Sequence, residues 1–498
     1  MNHSPQGRTP GWQVSLIPFA LLVVLLFFVI KHFGSGALDG GSQVALLLCT
    51  GVTIALSTLI YHTPWKTIES AIAENIRSIG TAVIILLLIG AIAGSWMVSG
   101  IVPTLICYGL KILSPKFFLL AVCLISALVS VVTGSSWTTI ATIGVAFLGI
   151  GVALGYSEAW TAGAIISGAY FGDKVSPLSD TTVLASSVSE TPLFTHIRYM
   201  MITTVPSFTI ACIIFLIVSL LHDPGEAMRA GEFSDALHGA FRISPWLLLV
   251  PVATGFLIYK RVPAVVTLML AALMAGVAAL LAQPGIVAAI GGGPSGFAAI
   301  GGGPSGFAAT FRGLFVTWYG DTAVQTGNAV LDPLVSTRGI NGMLSTVFLI
   351  FCAAAFGGAM TGAGMIQSIT RMLTRRISGR TPLVASTVGT GLFADMVTGD
   401  QYLSIILTCN LYKDLYKEKG FESRLLSRST EDSATVTSVL IPWNSCGMTQ
   451  ATVLKVPTLE YLPYCFFNII SPLMSILVAA TGYRIYRTVK GPSASSER

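Results

Sequence analysis

The sequence predicts an all-α polytopic membrane protein of two inverted repeats, about five spans each, every repeat carrying a re-entrant hairpin and a broken helix. Four observations lead there. Of 498 residues, 53% are hydrophobic and only 10% charged, where a soluble chain has roughly a quarter charged. Many apolar runs approach the ~20 residues that a helix needs to cross a bilayer. Polar strings rich in Gly, Pro and acids interrupt those runs, which membranes tolerate only where protein or a water-filled cavity satisfies the freed backbone. Finally, the chain resembles itself at a fixed shift. Moving by 265 residues places Thr133-Gly-Ser-Ser-Trp137 on Thr398-Gly-Asp-Gln-Tyr402, Gly155-Tyr156 on Gly420-Phe421, Pro177 on Pro442 and Asp180 on Ser445, and a shift of 264 places Gly94 and Gly100 on Gly358 and Gly364.

In chain order, residues 1–10 form a cytoplasmic tail and 11–222 the first repeat. Spans are expected at about 11–30, 42–61 and 79–98, with an amphipathic interfacial stretch bearing Lys66, Glu69, Glu74 and Arg77 between the second and third. A short interfacial helix follows at 100–113. The apolar region 117–154 is cut at Thr133–Thr139, either two full spans or a re-entrant hairpin. Residues 159–170 and 181–189 read as half-helices on either side of the break Gly172–Thr182, and 199–221 closes the repeat.

A hydrophilic extracytoplasmic linker, 223–243, leads to the second repeat, 244–483, with spans at 245–259 and 264–281. Residues 284–340 form a loop and interfacial insert, in which Ile290-Gly-Gly-Gly-Pro-Ser-Gly-Phe-Ala-Ala299 recurs letter for letter at 300–309. A span at 342–362 and a basic amphipathic helix at 365–377 precede the second hairpin, and the second broken helix, about 431–452, is followed by a single span at 458–483 and a cytoplasmic tail, 484–498.

Charge orients the halves. Arg371, Arg375, Arg376 and Arg380 precede the second hairpin turn, and Lys413, Lys417, Lys419 and Arg424 follow it. Basic loops face the cytoplasm, so both flanks lie inside, whereas the first hairpin has fewer basic flanks and is placed outside. Each half then crosses five times, the halves are inverted, and both termini are cytoplasmic. Lys31 alone runs against the count. Inverted repeats with paired discontinuous helices point to a secondary transporter with its site near the midplane.

Acids at depth in a membrane protein mark function by default. Four breaks should converge and bring together Asp173, Asp180, Asp400, Glu431 and Asp432 with the oxygens and amides of Ser135, Ser136, Ser176, Ser179, Thr181, Asn444 and Ser445. Hard cations take oxygen ligands, including carbonyls that an unwound helix releases. A carboxyl group out of water can hold either a proton or a cation, and competition for one site suffices for antiport. Na⁺ is expected at Asp180 and Asp173. Lys174 is either an internal counter-ion or a stand-in that pairs with the acid when Na⁺ leaves. His196 and Arg198 read as anchors at a helix start. Asp395 is a lesser candidate, and Trp137, Tyr402 and Trp443 pack or gate the breaks. Helix capping competes as a role for Asp173, Asp180 and the Glu431-Asp432 pair, and a structural turn role for Asp400.

The net charge of +6 reflects basic loops and needs no nucleic acid. The eight cysteines are scattered without metal-ligand spacing, no nucleophile–base pattern supports an enzyme, and no cofactor is expected. The first apolar run lacks a signal-peptide cleavage site. The partners expected are Na⁺, H⁺ and the lipid bilayer, with a homodimer as one option.

At these residues the chain resembles the NhaC family of Na⁺/H⁺ antiporters, within the wider ion-transporter superfamily. The strings that carry the likeness are Gly168-Ala-Tyr-Phe-Gly-Asp-Lys-Val-Ser-Pro-Leu-Ser-Asp-Thr-Thr182, Phe194-Thr-His-Ile-Arg198, Asp400-Gln-Tyr-Leu-Ser404, Leu426-Ser-Arg-Ser-Thr-Glu-Asp-Ser433 and Ile441-Pro-Trp-Asn444, over about 60–485. The resemblance implies Na⁺ extrusion in exchange for protons at a bacterial inner membrane. It also includes malate/lactate exchangers, so an ion-coupled organic-anion or amino-acid carrier is the alternative. The duplicated Gly-Gly-Gly-Pro insert departs from the family pattern.

Overall fold

A computed structural model describes residues 10–33, 40–222, 229–292, 307–374 and 377–487. Residues 1–9, 34–39 and 488–498, most of the tandem duplication, residues 223–228 of the linker, Arg375 and Arg376 lie outside the described residues. The chain is nearly all helical; among the described residues, extended pairing is confined to the bridges Thr322–Thr337 and Phe421–Arg487. Among the described residues, eight helices are long and apolar enough to cross a membrane, or up to ten if each bent pair is one span, as a polytopic membrane protein requires.

The first half runs α1 (Trp12–Phe33), α2 (Gly41–Ile60), α3 (Trp65–Ser78), α4 (Gly80–Val98), α5 (Ile101–Ile112), α6 (Pro115–Thr133), α7 (Ser136–Ala153), α8 (Glu158–Val175), α9 (Asp180–Val188) and α10 (Leu193–Leu221). The second runs α11 (Arg229–Ala240), α12 (Pro245–Tyr259), α13 (Ala264–Ala282), α14 (Pro284–Gly292), α15 (Phe307–Tyr319), α16 (Asn341–Gly362), α17 (Met365–Thr374), α18 (Arg380–Thr398), α19 (Gln401–Glu418), α20 (Ser423–Thr430), α21 (Ser445–Leu454), α22 (Thr458–Tyr464) and α23 (Phe466–Thr481). The main core is built on α4 to α8, and a second cluster joins α1 and α2 to α16.

The repeat seen in the letters recurs in the backbone. Gly134 and Gly399 both have positive φ, +67° and +65°. In each turn the Thr hydroxyl two residues before the cap pairs with a hydroxyl six residues on, Thr133 with Thr139 at 3.1 Å and Thr398 with Ser404 at 2.9 Å. Ser135 then caps α7 at the Thr138 N–H, and Asp400 caps α19 at the Leu403 N–H. The same shift relates the caps of the second breaks, Ser179 and Asn444, and the left-handed residues Glu190 (φ 55°) and Lys455 (φ 56°).

Both hairpins have arms of nearly span length. In α18–α19, Tyr412 OH meets Ser386 and Thr390, and Tyr416 OH meets Thr387 at 2.9 Å, a ladder that zips antiparallel helices. α6 packs closely on α8, because Gly168 and Gly172 let backbones approach: a Cβ on Gly168 would lie 2.1 Å from the Cys123 carbonyl oxygen and one on Gly172 2.3 Å from that of Ala127.

Three expectations are corrected. The linker is not all loop: α11 places Phe233 and Leu237 in the core, followed by Phe241, an i, i+4, i+8 stripe that the polar composition masks. The last span is two helices bent by 58° around Cys465. The second broken helix begins at Ser423, continues through a π turn at Glu431–Thr435 and breaks at 441–444. The amphipathic α3 docks on α16, with Ile68 fully buried and Asn75 Nδ2 donating to the Ala354 carbonyl at 3.3 Å.

Candidate functional site

The first break arises because Ser176-Pro177 ends α8 and Ser179 starts α9 afresh. Pro177 has no N–H to continue the ladder, and the Ser179 hydroxyl accepts from the Thr182 N–H at 3.4 Å. Ser176 ties the break to α6 by donating to the Val131 carbonyl at 2.8 Å. Asp180 is the first residue of α9, where a negative charge favours the helix N-terminus.

Asp173, one turn before the break, is buried. Its Oδ2 accepts from the Ser136 N–H at 3.1 Å and the Ser136 hydroxyl at 2.7 Å. The carboxylate therefore caps the returning arm of the first hairpin from across the bundle and fixes its tip against the broken helix. The turn leaves no slack, since a Cβ on Gly134 would sit 2.7 Å from the Leu178 carbonyl carbon.

These groups meet in a cavity of about 740 Å³, in whose wall Asp180 stands exposed. Thr133, Ser135, Asp173 and Thr181 line it from the first half, and Gln401, Tyr402 and Arg261 from the second. The cavity thus joins the tip of the first hairpin, the first break and the start of α19. Trp137 and Tyr402 stand in its wall.

The remaining candidates fall into two groups. Asp400, Asn444 and Ser445 form the junction of the second hairpin with the second break and lie behind Gln401. Ser445 N–H donates to the Gly399 carbonyl at 2.8 Å, the Ser445 hydroxyl faces Asp400 Oδ2 at 3.4 Å, and Asn444 Nδ2 donates to the Asp395 carbonyl at 3.0 Å. One Asp400 oxygen serves as the cap of α19. Glu431 and Asp432 sit apart from the cavity, on the π turn of the second broken helix. Asp432 pairs with Lys174 and accepts from the Thr203 hydroxyl at 3.0 Å. Lys174 is thus held by an acid of the other half.

Sequence reasoning underrated three residues. Asp395 is fully buried and accepts from Thr437 at 2.8 Å. Arg428 has no exposed surface, and its guanidinium lies 4.7 Å from the Tyr199 ring. His196, in the first turn of α10, is fully buried, with Nδ1 2.8 Å from the Ser427 hydroxyl. For Arg428 the available signal was the string Leu425–Ser433, which carries three charges on a buried helix. Nothing in the spacing marked His196.

A second cavity, of about 510 Å³, lies between α4 and α16 and is lined by Trp96, Met97, Thr346, Thr452 and Lys455. There Thr346 and Thr452 are joined by a 2.7 Å hydroxyl bond. Their 265-residue counterparts, Thr81 and Ser187, line the first cavity. Among the described residues no group of three or more His, Cys, Asp and Glu could hold a metal ion, and all eight cysteines are free thiols.

Comparison with known proteins agrees on the type of molecule. Residues 168–483 match the Na⁺/H⁺ antiporter family. The chain is 33% identical to the Na⁺/H⁺ antiporter NhaC of Bacillus subtilis, over 93% of this chain and 96% of that one. It is 32% identical to the malate-2H⁺/Na⁺-lactate antiporter of the same organism, over 94% and 96%. It is also 32% identical to the arginine/ornithine antiporter ArcD of Halobacterium salinarum, over 99% and 96%.

Proposed function

The chain belongs to the Na⁺/H⁺ antiporter family, and on that premise we propose that it exchanges Na⁺ for H⁺ by alternating access. The cation enters the 740 Å³ cavity and is bound by Asp180 and Asp173, with hydroxyl and carbonyl oxygens of the first break and hairpin tip completing its shell. The carrying observation is that two carboxylates from one broken helix, seven residues apart, both line that cavity with Ser135 and Thr181. Proton and cation compete for these oxygens, so each drives release of the other. Gln401 and Tyr402, backed by Asp400, Asn444 and Ser445, form the wall against which the first half closes.

The halves are inverted, both termini are cytoplasmic, and the cavity, lined by Arg261, opens to the cytoplasm of a bacterial inner membrane. Reporter fusions at each terminus test the orientation. Relatives named for malate, lactate, arginine and ornithine favour a second reading, an ion-coupled carrier of an organic solute, and the cavity volume falls in the range of ~300–1,000 Å³ typical of small-molecule sites. The acids in the cavity wall, against Arg261 as the one cation among the described lining residues, favour the metal cation. In inverted vesicles holding a pH gradient, Na⁺ or Li⁺ should dissipate the gradient. A response confined to malate or arginine would overturn the cation reading.

A further inference from the structure

Asp173 and Lys174 are neighbours on α8, about 100° apart around the helix, and they meet different partners. Asp173 lines the cavity and holds Ser136. Lys174 has no exposed surface and turns to α20 and α23, where it meets Asp432 and donates to the Ser471 hydroxyl at 3.0 Å. There, Arg428, Glu431 and Asp432 stand at i, i+3 and i+4 where the helix widens into the π turn. All three are fully buried, and none lines a cavity described above.

Their partners are uneven. Asp432 Oδ1 takes Lys174 and Thr203, while Oδ2 lies 3.9 Å from Arg428 Nε and has no hydrogen-bond partner among the described residues. Neither Glu431 oxygen has a hydrogen-bond partner there, nor does any Arg428 nitrogen. A carboxylate without donors is costly inside a protein, and a carboxyl that binds a proton removes that charge and gains a donor of its own.

The geometry points to Glu431 as a proton-binding site of the exchange that lies outside the cation site. This inference rests on the antiport reading above. With Glu431 ionised, it and Asp432 balance Lys174 and Arg428. With Glu431 protonated, the cluster carries one net positive charge beside the face of α8 that holds Lys174. That charge disfavours a cation at Asp173 and Asp180, so this further proton opposes Na⁺ without sharing its ligands.

Glu431 has few rivals for the role among the groups that face it. α8 offers Asp173 and Lys174, α9 Asp180 at its start, and α10 His196, already bonded to Ser427. α18 contributes Asp395, held by Thr437, and α19 Cys409, bonded to Thr430, and Lys413 at its outer end, paired with Glu190. α23 presents only the neutral Asn468, Ser471 and Ser475. Glu431 is the fully buried acid in this set with no ion pair and no hydrogen bond among the described residues.

The test uses purified full-length protein in liposomes, with tracer Na⁺ and an internal pH dye read together. Wild type must first show both Na⁺/Na⁺ exchange and pH-driven Na⁺ uptake; absence of both refutes the antiport reading itself. Glu431→Gln should then lower the H⁺:Na⁺ ratio by about one proton, the number a single carboxyl carries, while Na⁺/Na⁺ exchange persists. Glu431→Asp should restore the ratio. An unchanged ratio in Glu431→Gln overturns the proposal, and so does loss of Na⁺/Na⁺ exchange in a monodisperse protein, which would make Glu431 a cation ligand. If Glu431→Gln does not fold, Glu431→Asp decides: it should shift the pH of half-maximal uptake, and an unshifted profile overturns the assignment.

Discussion

At the scale of single residues, the two carboxylates of the first break do different work. Asp180 stands exposed in the cavity wall at the head of α9, whereas Asp173 spends one oxygen on Ser136. Asp180→Asn should therefore abolish exchange with expression and melting temperature near wild type. Unchanged exchange would leave it a helix cap. Asp173→Ala should lower both exchange and stability, because the Ser136 N–H and hydroxyl lose their acceptor, at a cost of about 1–3 kcal/mol. Thermal melting in detergent separates the two variants. Outside the spans, Glu190 meets Lys413 and Lys417, whose ammonium groups hold its carboxyl below the usual range. A depressed carboxylate contributes stability above its ordinary titration range and loses it as pH falls through the folded value. The melting difference between wild type and Glu190→Gln should be present at pH 7 and vanish at acid pH. A difference that persists in acid would refute the ion pair as its source.

Among elements, the hairpin turns are the parts that the letters foretold best. Thr-Gly followed by a capping side chain dictates a left-handed glycine and a fresh helix, and both copies have that geometry. Gly134→Ala combines a disfavoured positive φ with a Cβ pressed on the Leu178 backbone, and should cost about 1–3 kcal/mol. A stability and uptake equal to wild type would show that the tip adapts. The acids were legible as residues but not as groups. Glu431 and Asp432 read as members of one site formed by converging breaks; in the structure Asp432 pairs with Lys174 and neither acid lines the first cavity. Position along a chain does not encode azimuth once a helix passes into a π turn, so partners across the bundle stayed hidden. The same limit hid His196 and the stripe of α11.

On the scale of the whole molecule, the halves share backbone geometry and differ in closure. Thr346 and Thr452 are bonded across the second cavity, while Thr81 and Ser187 line the first. If each half takes the other's arrangement in turn, cysteines at positions 81 and 187 should cross-link only in the alternate state, and the cross-link should arrest Na⁺ uptake until reduced. Uptake unaffected by a formed cross-link would rule out closure at this point. The tight seat of Gly168 and Gly172 on α6 makes a complementary demand. Two backbones in that contact have no room to slide without collision, so the first hairpin and its broken helix travel as one body. Spin labels on the outer faces of α6 and α8 should keep a single separation distribution with and without Na⁺, even as labels across the cavity populate two. In mechanical terms, an ion bound at the proposed site would be carried by a stiff jaw, and the compliance of the cycle would reside in the joints that hang that jaw from the rest of the chain.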